Sequence, residues 1–396
     1  MTQDFHYSLQ LITTDNPYPT YQWMRDHDPA HYSATEDIWV LTRFKDVNEA
    51  FKTWKTWSSQ RRGNLVNDMP ERIGKTLGTT DPPAHTFARG LVNKAFTPRT
   101  VAQLKPQIRA LAHRLSREAR EQGAVDFVAA ISAPFNAAIL GAMFGVPDED
   151  FIHLRHWLDD FFLREPVQHG ETPKQVIAMR NLREYIGELA RKRQANSDAA
   201  QADDLMTAML NAEEDGKRLS FDQVVVTSMT FLTAGFESTN NLFTNLAHAL
   251  AIHPELFAHM KSHAEHVPAL VEEGMRWDAA AQGFVRSPAH EVHLHGKVIP
   301  EGAQVLLHIG ASNRDEREFE NADIFDIHRD NKRHLGLGQG VHFCVGAPLG
   351  REMTFAIFEE MLAASECWEV DLSHAERVRT PNFRGFARLP LKIRQG

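Results

Sequence analysis

The chain has 396 residues, of which 42% are apolar and 24% charged, and a formal net charge of -9 at pH 7. That length and apolar content suffice for a large buried core. The acidic balance, with no basic run or basic helix face, argues against nucleic acid as a partner. Two cysteines far apart suggest no disulfide framework and fit a reducing cytosol. The N-terminus shows no signal peptide, and no stretch of eighteen uncharged apolar residues occurs, so the expectation is a cytoplasmic protein with no membrane partner.

Asn16-Pro-Tyr-Pro-Thr opens a short helix with Tyr21, Met24 and Arg25 at helical spacing, and Ile38-Trp-Val-Leu-Thr42 reads as a strand. Asp46-Val-Asn-Glu49 has the form of a capping arrangement for the next helix, with Val47, Ala50, Phe51 and Trp54 on one face. Residues 57–80 are polar, glycine-bearing and aperiodic, a loop long enough to be functional or mobile. Asp81-Pro-Pro-Ala-His85 starts a helix behind two prolines, and His85 and Arg89, four apart, share a face. Taken alone, they describe a solvated pair. Apolar stripes follow at Leu104, Ile108, Leu111 and Leu115, then at Phe135, Ile139, Ala142 and Met143, and these are core. A polar loop from Arg164 to Pro173 leads into a helix from about Lys174 to Gln194, and Asn196 to Asp203 is a small-residue linker.

Ser220-Phe-Asp-Gln223 is a capping box that opens the longest helix, running to about Ile252. Its first half is apolar all round, as in a helix buried through the middle of a domain. Thr233-Ala-Gly-Phe-Glu237-Ser238-Thr239 then sets a glycine, a carboxylate and hydroxyls inside it. Glycine weakens a helix, a buried acid needs partners, and hydroxyls bonded to the preceding turn can bend it. A close helix crossing accounts for Gly235 but not for Glu237, whereas an acid and alcohol placed to relay protons accounts for the carboxylate. Thr239, about 100° further round, should point elsewhere. Glu273 and Arg276 are spaced to pair on a helix, by itself a weak signal. Ala281-Gln-Gly-Phe-Val-Arg286 is extended, and Val292-His-Leu-His, a turn at Gly296 and Val305-Leu-Leu-His308 complete a small β region.

His334-Leu-Gly-Leu-Gly-Gln-Gly-Val-His342-Phe-Cys344-Val-Gly346 places three glycines in the eight residues before a cysteine, a tight loop whose backbone comes close to something flat. A helical pattern (Leu349, Met353, Ile357, Met361) follows, so Cys344 stands at a helix entrance, where unpaired N–H groups and the helix dipole favour a thiolate. The loop lacks the Lys-Ser/Thr of a phosphate-binding loop. A glycine loop, an electropositive thiolate and a helix start are what an axial sulfur ligand to haem iron requires. Cys367, in Ser-Glu-Cys-Trp, reads as a small buried hydrophobe.

This stretch resembles the haem-binding signature of the cytochromes P450. The His85/Arg89 helix, the Thr233–Thr239 segment and Glu273-x-x-Arg276 stand in the order that family has them. The resemblance spans nearly the whole chain and implies a mainly α fold with a minor β region, the cytochrome P450 fold, as a single domain over residues 1–396. It implies haem b (iron protoporphyrin IX) with Cys344 as the metal ligand, and His85, Arg89, Arg286 and His342 at the propionates. It implies that Glu237 and Ser238 are catalytic, delivering protons during oxygen activation, and that Glu273 and Arg276 prop the haem loop.

The activity implied is a monooxygenase inserting one atom of O2 into a C–H bond of a small to medium apolar organic substrate, by hydroxylation or oxidative O-dealkylation. Electrons would come from a ferredoxin-type donor with its NAD(P)H reductase, docking near the cysteine with Arg351, Lys332 and Arg333. The alternatives are a peroxide-driven peroxygenase, which would tolerate loss of the acid–alcohol pair, and a non-catalytic haem-thiolate sensor. Two departures from the family pattern stand out. Ser238 replaces a threonine and leaves the hydroxyl freer about χ1, and Leu337, seven before Cys344, replaces a phenylalanine beside the sulfur. The substrate wall is expected from residues 57–80, the Trp157–Pro173 region, Thr233, Phe236, Gly283, Phe284, Val285 and Phe386. With 24 phenylalanines against 5 tyrosines, that wall should be apolar.

Overall fold

The computed structural model describes residues 7–66, 68, 72–162, 172–195, 204–330 and 333–394. The linker 196–203, most of the loop expected from Arg164, Lys332 and a few of residues 57–80 lie outside the described residues. The helices are α1 Tyr18–His27, α2 Phe44–Lys52, α3 Ala84–Ala95, α4 Pro98–Gln122, α5 Ala133–Met143, α6 Phe151–Phe162, α7 Pro173–Ala195, α8 Leu205–Asn211, α9 Phe221–Ile252, α10 Pro254–Ser262, α11 Val267–Trp277, α12 Ile309–Ser312 and α13 Ala347–Ala363. The strands are β1 Ala30–Ser33, β2 Ile38–Leu41, β3 Trp57–Ser58, β4 Ala124–Asp126, β5 Glu213–Glu214, β6 Lys217–Arg218, β7 Gly283–Pro288, β8 Val292–Leu294, β9 Lys297–Ile299, β10 Val305–His308, β11 Cys367–Val370, β12 Glu376–Arg377, β13 Phe386–Arg388 and β14 Pro390–Arg394.

The largest sheet runs β1-β2-β10-β7-β3, antiparallel except where β2 lies parallel to β10. The mainly α expectation with a minor β part therefore holds. The C-terminal segment from Phe383 serves two sheets. β13 pairs with β12, while β14 lies between β11 and β4.

Helix α9 is the axis of the larger core. Val225, Met229, Leu232, Leu242, Phe243, Leu246 and Leu250 are buried in it, packed among α5, α7, α11 and α13. The capping box is present: Ser220 Oγ accepts from the Gln223 N–H at 3.2 Å, and the Ser220 N–H donates to Gln223 Oε1 at 2.8 Å. Inside the helix, Thr230, Thr233 and Ser238 donate to the carbonyls of Val226, Met229 and Ala234 at 2.8, 2.9 and 2.7 Å. The helix is assigned without a break from Phe221 to Ile252, because these back-bonded hydroxyls bring their own partners. Gly235 marks a close crossing, since a Cβ there would stand 3.0 Å from Leu140 Cδ2 of α5.

Helix α2 begins at Phe44, two residues before the expected cap at Asp46. The Phe44 N–H is met from across the fold by Asp315 Oδ2 at 2.8 Å, so a distant carboxylate does what a local one was expected to do. The Glu273/Arg276 pair is no surface ornament, for both side chains are fully buried. Arg276 grips Glu273 with two bonds of 2.8 and 2.7 Å. It also donates to the carbonyls of Asn313, Ala322 and Ile324 at 2.9, 2.8 and 3.0 Å. Glu273 Oε1 in turn accepts the Asp326 N–H at 2.8 Å. Removing one partner leaves the other as an uncompensated buried charge. Glu273→Ala is therefore expected to cost about 3–5 kcal/mol in urea unfolding, and a loss under about 1 kcal/mol, the scale of an exposed pair, would remove its structural role.

Candidate active site

The glycine loop is built by close approach. A Cβ on Gly336 would stand 2.6 Å from the Met275 carbonyl oxygen at the end of α11, and one on Gly340, at φ +68°, 2.6 Å from the Phe51 carbonyl oxygen of α2. The Cys344 N–H donates to the Leu337 carbonyl at 3.0 Å and closes the loop, while the Leu335 N–H is anchored on Asn313 Oδ1 at 2.7 Å. Cys344 thus stands just before α13, as expected, with its sulfur open to an internal cavity and protein on its other sides. The expected thiolate needs a correction. Burial pushes the Cys344 thiol up, and the Gly346 and Ala347 N–H groups and the Arg89 and Arg351 guanidiniums pull down without cancelling it. The helix entrance alone does not ionise the sulfur. A bound metal cation would.

Four cationic or imidazole side chains meet on the same side of that cavity. Arg286, buried on β7, donates to the carbonyl of its neighbour Val285 at 2.8 Å and lies 5.5 Å from the Phe51 ring centre. Burial holds its guanidinium down to about 10, with Asp81 opposing. Among the described residues no carboxylate forms an ion pair with Arg286 or with Arg89, whose Nη2 donates to the Phe343 carbonyl at 2.8 Å. His85 is buried, its ring centre 4.5 Å from that of His342, and its Nε2 has no partner. Burial, His342 and Arg89 together lower its pKa to about 4. His342 Nε2 lies 3.1 Å from Ser59 Oγ and 3.9 Å from Asp81. A buried guanidinium and a half-buried one, neither in an ion pair with a carboxylate among the described residues, and an orphaned imidazole nitrogen fit a flat group that brings two carboxylates and a thiol-binding metal.

The cavity encloses about 900 Å³ between the Cys344 loop and α9, whose Thr233, Ala234, Gly235, Glu237, Ser238 and Thr239 form part of its wall. Glu237 is 8% exposed. Thr239, expected to face away, reaches the wall too. Phe236 turns instead into the core, where the helical period carries it. Strand alternation likewise splits the β7 expectation. Phe284 lines the cavity, whereas Val285 packs with Tyr7, Leu9 and Leu306 on the opposite face, and Gly283 is pressed against Leu306 and Leu307. Phe386 packs on His248 and Arg377 away from the cavity. Phe383, not foreseen, takes the wall position with its ring 6.5 Å from that of Phe284. Phe161 rather than Trp157 represents α6, and Met179 and Met229 were also missed. Phe383 reaches the cavity from a loop, which no local pattern marks, whereas Met179 and Met229 reach it from helices α7 and α9.

Near the sulfur, Arg351 is bound by Glu272, which also takes His334 at 3.1 Å. Burial would raise the Glu272 carboxyl, but Arg351 and His334 outweigh it and hold it at about 2. Arg333 is exposed and pairs with Glu318 at 3.1 Å. Arg61 and Arg62 are tied to Glu301 and the Gly302 carbonyl, outside the wall.

The chain belongs to the cytochrome P450 family, whose model matches residues 7–394. It is 32% identical to the putative cytochrome P450 123 of Mycobacterium tuberculosis over 98% of this chain and 95% of that one. Its structure resembles that of cytochrome P450 CYP109Q5 from Chondromyces apiculatus, with a TM-score of 0.88 at 30% identity, covering 97% of this chain and 98% of that one. It also resembles CYP109E1 from Bacillus megaterium in complex with corticosterone, with a TM-score of 0.85 at 26% identity, covering 98% and 100%. Members of the family are haem-containing oxidoreductases, monooxygenases that use dioxygen and redox partners. Among the described residues no helix is long and apolar enough to cross a membrane. Replacing Cys344 by serine is expected to abolish the red-shifted carbon monoxide band of the reduced, haem-loaded protein. A band that survives would place the sulfur ligand elsewhere.

Proposed function

We propose that this protein, as a single domain, is a cytoplasmic haem-thiolate monooxygenase that inserts one oxygen atom from O2 into a C–H bond of a small to medium apolar substrate, by hydroxylation or oxidative O-dealkylation. The observation that carries this reading is the apolar cavity closed between Cys344 on one side and Glu237 and Ser238 on the other. Haem bound there supplies the centre at which dioxygen is reduced and its O–O bond cleaved. Cys344 would hold the iron through Sγ, and Arg89, Arg286 and His342, with His85 behind them, would hold the propionates.

Ser238 Oγ gives its hydrogen to Ala234, which leaves its lone pairs facing the cavity to order a water. It passes a proton only after rotating away from that carbonyl, a rotation that serine makes more freely than threonine. Glu237, at the wall one residue earlier, is placed to resupply that proton. Phe284, Phe383 and Met229 exclude water and present the C–H bond. The Asp68–Arg72 pair, 2.9 Å apart, places polar groups on the wall without net charge, which suits a substrate that is apolar with few polar groups. The likeness to a protein solved with corticosterone supports a ligand of that size and polarity.

Electrons would come from a ferredoxin-type donor with its NAD(P)H reductase, meeting the Cys344 side. Arg351 is committed there to Glu272, so Arg333 is the more available contact. Glu237→Gln is expected to lower electron-driven turnover by about 10²-fold or more, with reducing equivalents lost to peroxide and water instead of product. Equal product yield per electron in variant and wild type would remove the relay. Turnover by hydrogen peroxide alone at the electron-driven rate would assign a peroxygenase. A second check is the ferric spin state: apolar ligands of steroid size are expected to displace the axial water, and a response confined to small charged compounds would refute the substrate class.

A further inference from the structure

Away from the cavity, two helical turns and one loop bring four histidines together at the surface. His259 and His263 lie one turn apart at the end of α10, His266 closes the short 3-10 turn Ala264–His266, and His328 comes from the segment between α12 and α13. His259 is centred 4.5 Å from His263, 5.1 Å from His266 and 5.8 Å from His328. His266 is centred 5.6 Å from His263 and 5.7 Å from His328. Among the described residues none of the four is paired with a carboxylate, whereas His113, His293, His295 and His374 elsewhere on the surface are.

The nitrogens are arranged to keep lone pairs. His259 Nε2 and His266 Nδ1 are 2.8 Å apart, close enough that one proton is shared and one of the two is an acceptor. His263 Nδ1 lies 3.1 Å from the carbonyl oxygen of His259. A carbonyl only accepts, so this Nδ1 donates, and neutral His263 carries its lone pair on Nε2, pointing away from the backbone. A main-chain carbonyl on the far nitrogen is how proteins set a metal-binding imidazole.

His263, the C-cap of α10, follows His259 by four, the spacing at which two histidines of a helix bind one metal, although its own backbone has left the helix. Imidazoles sharing one tetrahedral zinc ion through nitrogens at about 2.1 Å have ring centres about 5 Å apart, the spacing found here. Among the described residues no group of three or more histidine, cysteine or acidic side chains is arranged as a metal site, and the rings of His259, His263 and His266 lie within 11–15° of parallel. Turning their nitrogens inward requires rotation about the soft imidazole torsion. His263 and His328 are exposed and the other two half-buried, so that rotation disturbs no packed core.

We propose that His259, His263, His266 and His328 bind one divalent transition ion of the zinc type. The ion would tie residue 328 to α10 and so fasten, from outside, the same segment that Arg276 and Glu273 hold from within through Ile324 and Asp326. The test is calorimetric titration of the haem-loaded protein with Zn2+. It compares the wild type, the His263→Ala/His328→Ala variant and a control variant, His290→Ala/His293→Ala, that removes two exposed histidines elsewhere. Wild type and control are expected to take up one ion per chain, with affinity reduced more than about tenfold in the cluster variant. Zn2+ should also raise Tm in the first two and not in the third. His263→Gln alone, at an exposed position, is expected to show the same weakening should the double variant fold poorly. Equal affinity in cluster variant and wild type, or no saturable site in wild type, overturns the proposal.

Discussion

A guanidinium that no water reaches, that of Arg276, decides where the sulfur stands. Taking such a charge out of water costs several kcal/mol unless every donor is matched. Here the match requires Glu273 together with carbonyls of Asn313, Ala322 and Ile324, so two stretches of chain, at Asn313 and at Ala322–Ile324, are drawn to one point on α11. Asn313 then holds the Leu335 N–H, and Met275, next to Arg276, offers the carbonyl against which Gly336 is pressed. The Cys344 loop hangs from these two contacts. A pair three residues apart on α11 thereby positions a cysteine almost seventy residues further on.

Two other buried arginines, Arg25 and Arg384, follow the same rule. Arg25 has Glu316 and the Ala311 carbonyl, and Arg384 has Asp278 at 2.9 Å and the carbonyls of Ile12, Thr14 and Asp15. Arg286 is as deeply buried but meets only the carbonyl of its own neighbour, and its guanidinium is held below its ordinary range. Arg314, equally buried, keeps the Trp277 carbonyl and Asp323 although its Nη2 has no partner, so what sets Arg286 apart is that among the described residues no carboxylate forms an ion pair with it. With no carboxylate paired to Arg89 among the described residues and His85 Nε2 orphaned, the unmet demand is anionic and localised on one wall.

What the chain announces in advance, and what it conceals, divides along the range of the interactions. The limits of α9 were legible because both are local: a capping box at Ser220, and a Pro254 that cannot continue the helix after His253. The glycine–cysteine loop was legible because only glycine fits its contacts. The start of α2 was not, since its first N–H is satisfied by Asp315, some 270 residues away. The cavity wall was half legible. Phe284 and Thr233 fell where alternation and helical period put them, while the same two periods turn Val285 and Phe236 away, and single residues read without their period gave the wrong side. Phe383 enters from a loop with no period at all.

The sulfur shows how these scales combine. The helix entrance contributes two N–H groups, Arg89 a whole charge, and Arg351 a charge already answered by Glu272. Because that carboxylate remains ionised down to about pH 2, the Arg351–Glu272 pair acts near neutrality as a dipole, whose field falls off faster than that of a free cation. Of the two guanidiniums Arg89, with no carboxylate paired to it among the described residues, is the larger influence, and it stands on the same helix as His85, which is neutral at that pH. The sulfur is therefore tuned first from the entrance of α13, where the Gly346 N–H is the largest influence favouring the thiolate, and next by Arg89 of α3, ahead of Arg351. Leu337, whose carbonyl receives the Cys344 N–H, adds apolar bulk at the sulfur without adding charge.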